Sequence, residues 1–160
     1  MHYFNSKIEA LEWINFILDK YAARYTSFIG PNHENKDGGH FFKVSLDSNN
    51  ILIDAVYGKG KVDLPGHNIG GERSWQYILP YSNLKIISLV FKEKVFPLVH
   101  IKFHTKWFKK FTKRNLNEIN KLNPLYSYES YVEIILLDSV VNDNNFNENK
   151  LNEAFNLLTS

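Results

Sequence analysis

Cysteine is absent from all 160 residues, which removes a disulfide framework, a thiolate nucleophile and any Cys-ligated zinc site from consideration. Long apolar runs are missing too, since nothing approaches the roughly 20 residues that span a bilayer. The start, Met1-His2-Tyr3-Phe4, lacks the basic region, apolar stretch and cleavage site of a secretory signal. These absences lead to the expectation of a cytoplasmic protein with no membrane association. With Gly 8 and Pro 5, collagen-like and low-complexity classes fail. Arginine is scarce: only Arg24, Arg73 and Arg114 stand among 19 basic residues, although Arg is the side chain best suited to bidentate phosphate or guanine contacts.

What the chain does have is apolar area. Its composition is 44% hydrophobic, with 12 Phe, 9 Tyr and 3 Trp, enough to offset chain entropy in one compact domain over residues 1–160. The formal net charge of +2 conceals a polarised layout. Residues 1–80 carry 8 basic and 9 acidic groups, residues 81–126 carry 10 and 2, and residues 127–160 carry 1 and 6. A basic middle and an acidic tail point to an anionic partner, or to neutralisation of one segment by the other within the fold.

Hydropathy patterning supplies the elements. Ser6-Lys7-Ile8-Glu9 has capping-box spacing, and Leu11, Ile14, Leu18 and Tyr21, widened by Ile8, Ala10, Trp13 and Ile17, recur at helical period, so a buried helix runs from Lys7 to Tyr21 or Arg24. Phe42, Val44 and Leu46 alternate with polar residues, Asp47-Ser48-Asn49-Asn50 turns, and residues 51–57 return as the second strand of a hairpin. Residues 58–71 hold five glycines and read as a long loop, and Trp75–Leu79 as a short strand ended by Pro80. A second hairpin joins residues 84–92 to 95–104 about Glu93-Lys94. A helix over residues 105–122 is stopped by Asn123-Pro124, residues 131–137 form a nearly apolar and therefore central strand, and a last helix is capped by Asn147 with Phe146 and Leu151 as its hydrophobic staple. The fold class is α+β: a mostly antiparallel sheet of about five strands, two hairpins plus a central strand, covered by three helices.

Three segments carry candidate chemistry. On the expected helix Lys106, Lys109, Lys110, Lys113 and Arg114, with Asn117 and Lys121, fall within about 140° of arc at 100° per residue, a stripe that would track a phosphate backbone or an acidic protein. Trp107 at its flank would stack a base or close the core. On the second hairpin His100, Lys102 and His104 alternate along one strand, the residue types of a metal-independent ribonuclease with a base, an acid and a cation for the phosphorane. Four residues of strand separate the two His Cα atoms by about 13 Å, so His40 or His67 would have to complete such a site. The glycine-rich loop presents Lys59, Lys61, His67 and Arg73, but it lacks a phosphate-loop signature, and Asp54, Asp63 and Glu72 lack the Glu-x-Lys strand of metal-dependent nucleases. No resident metal or cofactor is implied.

These features converge on a small cytoplasmic binding protein that occludes or neutralises a macromolecular partner, as immunity and antitoxin proteins do, with no reaction of its own. Lys59, Lys61, His67, Arg73, Lys106, Lys109, Lys110, Lys113 and Arg114 are the expected binding residues, and a protein is the favoured partner over nucleic acid. The alternative is a nucleic-acid-binding protein or a ribonuclease using His100, Lys102 and His104.

Overall fold

The structure, a computed structural model of the chain, describes residues 2–22, 39–59, 73–81, 84–92, 98–105, 111–115, 126–129 and 131–159. In chain order the elements are α1 (Lys7–Lys20), β1 (Gly39–Leu46), β2 (Asn50–Lys59), β3 (Arg73–Pro80), β4 (Leu84–Lys92), β5 (Leu98–Thr105), β6 (Phe111–Asn115), β7 (Tyr126–Glu129), β8 (Tyr131–Leu137), a short 3-10 helix (Asp138–Asn142) and α2 (Glu148–Leu158). The strands form two antiparallel sheets, β1-β2-β3-β6-β7 and β4-β5-β8. The architecture is α+β. Among the described residues no helix is long and apolar enough to cross a membrane.

Both helices start where side chains satisfy their free N–H groups. Ser6 accepts from the Glu9 N–H at 3.1 Å, and the Glu9 carboxylate reaches back to the Asn5 N–H at 3.0 Å. Asn147 accepts from the Lys150 N–H at 2.7 Å, with Phe146 and Leu151 both buried beside it. From α1 the core takes Ala10, Trp13, Ile14, Ile17 and Leu18, and from α2 it takes Leu151, Ala154, Phe155 and Leu158. Ile8, expected within the buried stripe, is 69% exposed because at 100° per residue it points about 150° away from the centre of the packed face, whereas Ala10 in the same turn is buried. These residues join Phe42, Val44, Ile51, Ile53, Ala55, Tyr77 and Leu79 of the larger sheet and Val132, Ile134 and Leu136 of the smaller one in a single apolar cluster.

Five sequence expectations change. In place of one sheet of about five strands, the described residues form eight strands in two sheets, because residues 111–115 and 126–129 add strands to the first hairpin while the second hairpin pairs with residues 131–137 instead. The helix expected over residues 105–122 is replaced at both described points: Thr105 ends β5, and Phe111–Asn115 is a strand paired with β3 and β7. Lysine is at home on either element, so tertiary pairing decided what local pattern did not. Two α-helices, rather than three, occur among the described residues. The strand of residues 131–137 is not central: β8 ends the smaller sheet and β5 lies in its middle. Its outer edge meets the end of α1 through an Ala22–Leu136 bridge and a Leu137 N–H bond to the Tyr21 carbonyl at 2.9 Å, while Leu137 itself is exposed. The second hairpin pairs Lys92 with Leu98, leaving five residues between them, so its register is not centred on Glu93-Lys94 and Lys102 stands opposite Ser88.

The end of α1 is pinned to the turn before α2. Asp143 accepts hydrogen bonds from the Tyr21 hydroxyl, from the Asn145 N–H at 2.8 Å and from Lys20 Nζ at 3.1 Å. Tyr21 above all, then Asn145 and Lys20, hold the Asp143 carboxyl down from 3.8 to about 2, while the same contacts raise Tyr21 and Lys20. A depressed folded-state value stabilises the fold wherever the unfolded chain would also be ionised, and that contribution disappears as pH falls from 3.8 through about 2. Thermal midpoints followed across this interval are expected to fall more steeply for the parent than for Asp143→Asn; equal slopes would refute the contact.

Candidate binding surface

Antiparallel register sorts the larger sheet into two faces. On the inner face Val44, Ile53, Tyr77 and Lys113 stand in one cross-strand row, and Phe42, Ala55, Trp75 and Asn115 in the next. The buried members of these rows belong to the core that α1 and α2 cover. Toward the far end the inner face becomes aromatic and cationic. The Phe42 and His40 rings meet Tyr57 edge-on at 5.5 and 5.7 Å, and Lys113 Nζ lies 4.1 Å from the Trp75 ring centroid.

The outer face is organised differently. Lys43 stands opposite Asp54, Asp54 opposite Gln76, and Gln76 opposite Arg114, a polar row crossing β1, β2, β3 and β6 over about 14 Å. Gln76 is only 6% exposed, yet both ends of its amide are used. Its Nε2 donates to Asp54 Oδ1 at 2.8 Å, and its Oε1 accepts from Arg114 Nε at 2.7 Å. The direction is forced, because a carboxylate can only accept and a guanidinium can only donate. Arg114 is half-buried and spends its Nε–H on this contact, so among the described residues its two Nη groups form the open end of the chain. Half-buried Ser45, Leu52 and Ile78 flank the row on one side, and half-buried Phe41 and Val56 with buried Ser74 on the other. Among the described residues no helix packs on this face.

The expected binding residues are distributed over several places. Lys113 and Arg114 are adjacent on β6, which places them on opposite faces, so the helical stripe expected to join them does not form. Arg73 opens β3, exposed and opposite Tyr57, and Lys59 ends β2 opposite Gly39. Lys61, His67, Lys106, Lys109 and Lys110 lie outside the described residues, as do Asp63, Glu72 and Trp107. His100, Lys102 and His104 do share β5. They stand opposite Val90, Ser88 and Ile86 on one side and Ile135, Glu133 and Tyr131 on the other. His40 is on β1 of the other sheet, with its ring against Tyr57, rather than in a loop beside them. Among the described residues no three His, Asp or Glu side chains converge as a metal site would require.

The sequence pattern does not single out Gln76, and it offers Asp54 only as part of an incomplete metal set. They lie 22 residues apart, and Gln76 lies 38 from Arg114, so register alone brings the three together. Comparison with protein-family models, curated proteins and solved structures finds no match, so the functional reading rests on these residues.

Proposed function

We propose that the protein works by binding alone, as a cytoplasmic protein that occludes or neutralises a macromolecular partner in the manner of immunity and antitoxin proteins. The observation that carries this reading is the outer face of the larger sheet. It combines a hydrogen-bonded polar row, Asp54 to Gln76 to Arg114, with half-exposed apolar side chains on either side. A rigid, mixed surface of apolar groups around an arginine is the composition that protein interfaces favour. A sheet face also presents its side chains with little conformational freedom left to lose on association.

A phosphate-tracking reading draws less support. It relies on a contiguous cationic stripe, and of that stripe Lys113 is engaged with Trp75 while Arg114 lies on the other face of β6 beyond the Asp54 carboxylate. Purification from the native host under mild salt, with absorbance ratio and mass spectrometry of what accompanies the protein, tests the choice. A stoichiometric protein partner is expected. Nuclease-sensitive nucleic acid in its place would overturn the proposal.

A further inference from the structure

We propose that Arg114 is the anchor of this surface for a carboxylate, an Asp or Glu side chain of an acidic protein partner, with Gln76 and Asp54 as its positioning residues. The inference rests on the binding reading above and adds the chemistry of the contact.

Four observations lead to it. The Arg114 Nε–H is committed to Gln76 Oε1 at 2.7 Å, which fixes the plane of the guanidinium. Gln76 cannot turn away, because its own Nε2 is held by Asp54 at 2.8 Å and the residue is almost wholly buried. The two Nη groups therefore keep a set direction, and a planar fork of N–H donors matches the two oxygens of a carboxylate. Finally, half-buried Ile78 lies on the same face, on the strand next to Arg114 and one cross-strand row away, an apolar neighbour beside which a charge-assisted hydrogen bond gains strength.

The sign pattern selects a carboxylate over a phosphodiester chain. Along the row the charges run Lys43 positive, Asp54 negative, Arg114 positive. A nucleic-acid backbone laid across it would place a phosphate over Asp54, about 10 Å from Arg114. A protein surface can meet the same row with a carboxylate at Arg114 and a donor at Asp54, which is complementarity of the kind that sets partner choice.

Isotope-labelled full-length protein titrated with hexaglutamate, hexaglutamine and an eight-nucleotide oligouridylate tests the assignment. The Arg114 Nε–Hε and Gln76 side-chain amide signals are the readouts. Hexaglutamate is expected to move both signals saturably, and hexaglutamine to leave them in place. Arg114→Ala should weaken hexaglutamate binding about tenfold or more. Arg114→Lys, which keeps the charge without the fork, should recover only part of it. Gln76→Met should also weaken binding while the backbone spectrum of the sheet is retained. Unmoved signals with hexaglutamate, full recovery by Arg114→Lys, or tighter binding of oligouridylate would each overturn the proposal. The two levels separate cleanly. A protein partner retained equally by the parent and by Arg114→Ala would sustain the binding reading and overturn the anchor. A hexaglutamate response in a protein that brings no partner from its host would sustain the anchor and overturn the binding reading.

Discussion

Phe155→Ala is expected to lower the unfolding free energy by about 3–5 kcal/mol, at the upper end of what truncating one core side chain costs. Phe155 is 1% exposed and among the largest side chains fully enclosed in the core. It sits on α2, which packs against α1 and β4, so the cavity left by its removal lies between elements of different origin that cannot all close on it. For a domain whose total stability is about 5–15 kcal/mol this is a large fraction, equivalent to a fall of about 6–20 °C in thermal midpoint. Calorimetry on the parent and the variant measures it. A loss below about 1 kcal/mol would mean that α2 does not close the core as described.

Asn15→Leu is expected to cost about 2–4 kcal/mol, from a side chain that is only half-buried. β1 is an edge strand, and an edge exposes unpaired N–H and C=O groups to any other chain. Asn15, projecting from α1, closes that edge at Val44. Its Nδ2 donates to the Val44 carbonyl at 2.8 Å, and its Oδ1 accepts from the Val44 N–H at 2.8 Å, the pair of bonds another strand would supply. Leucine has comparable size and neither group, so both backbone atoms lose their partners while packing is largely kept. Urea denaturation should show a lower midpoint with an unchanged slope. Light scattering should show self-association that rises with concentration, as the uncovered edge recruits a second chain. A variant as stable and as monodisperse as the parent would refute this role for Asn15.

Both effects depend on elements that differ in how plainly the sequence announces them. The two helices are legible because their apolar residues recur at helical period and each begins with a capping side chain, Ser6 or Asn147, that performs as its position implies. The first hairpin is legible for the same kind of reason, since the Asp47 carboxylate takes the Asn49 and Asn50 N–H groups at 2.8 and 2.6 Å and so builds the turn locally. The basic segment is not. Lysines at residues 106, 109, 110 and 113 fit a helical arc, yet they have little preference of their own, and Phe111–Asn115 became a strand because β3 offered it an unpaired edge.

The candidate site is legible only in part. Arg114 stands among the expected binding residues, but as one member of a lysine stripe. Its significance comes from Gln76 and Asp54, which are joined to it by strand register, a property of the assembled sheet that no local window contains. Asn15 is a similar case: an Asn within an apolar helix reads as a tolerated polar residue until the strand beside it is known.

The central claim is that the outer face of β1, β2, β3 and β6 contacts the partner. Hydroxyl-radical footprinting of the complex recovered from the native host tests it most directly, because the molecule contains its own control. Phe41, Leu52, Val56 and Ile78 lie on the outer face, whereas Ile8 and Phe16 are apolar side chains exposed on α1. The account predicts that the first four become protected in the complex while Ile8 and Phe16 stay as reactive as in the free protein. Protection of Ile8 and Phe16 with the outer face unchanged would contradict it.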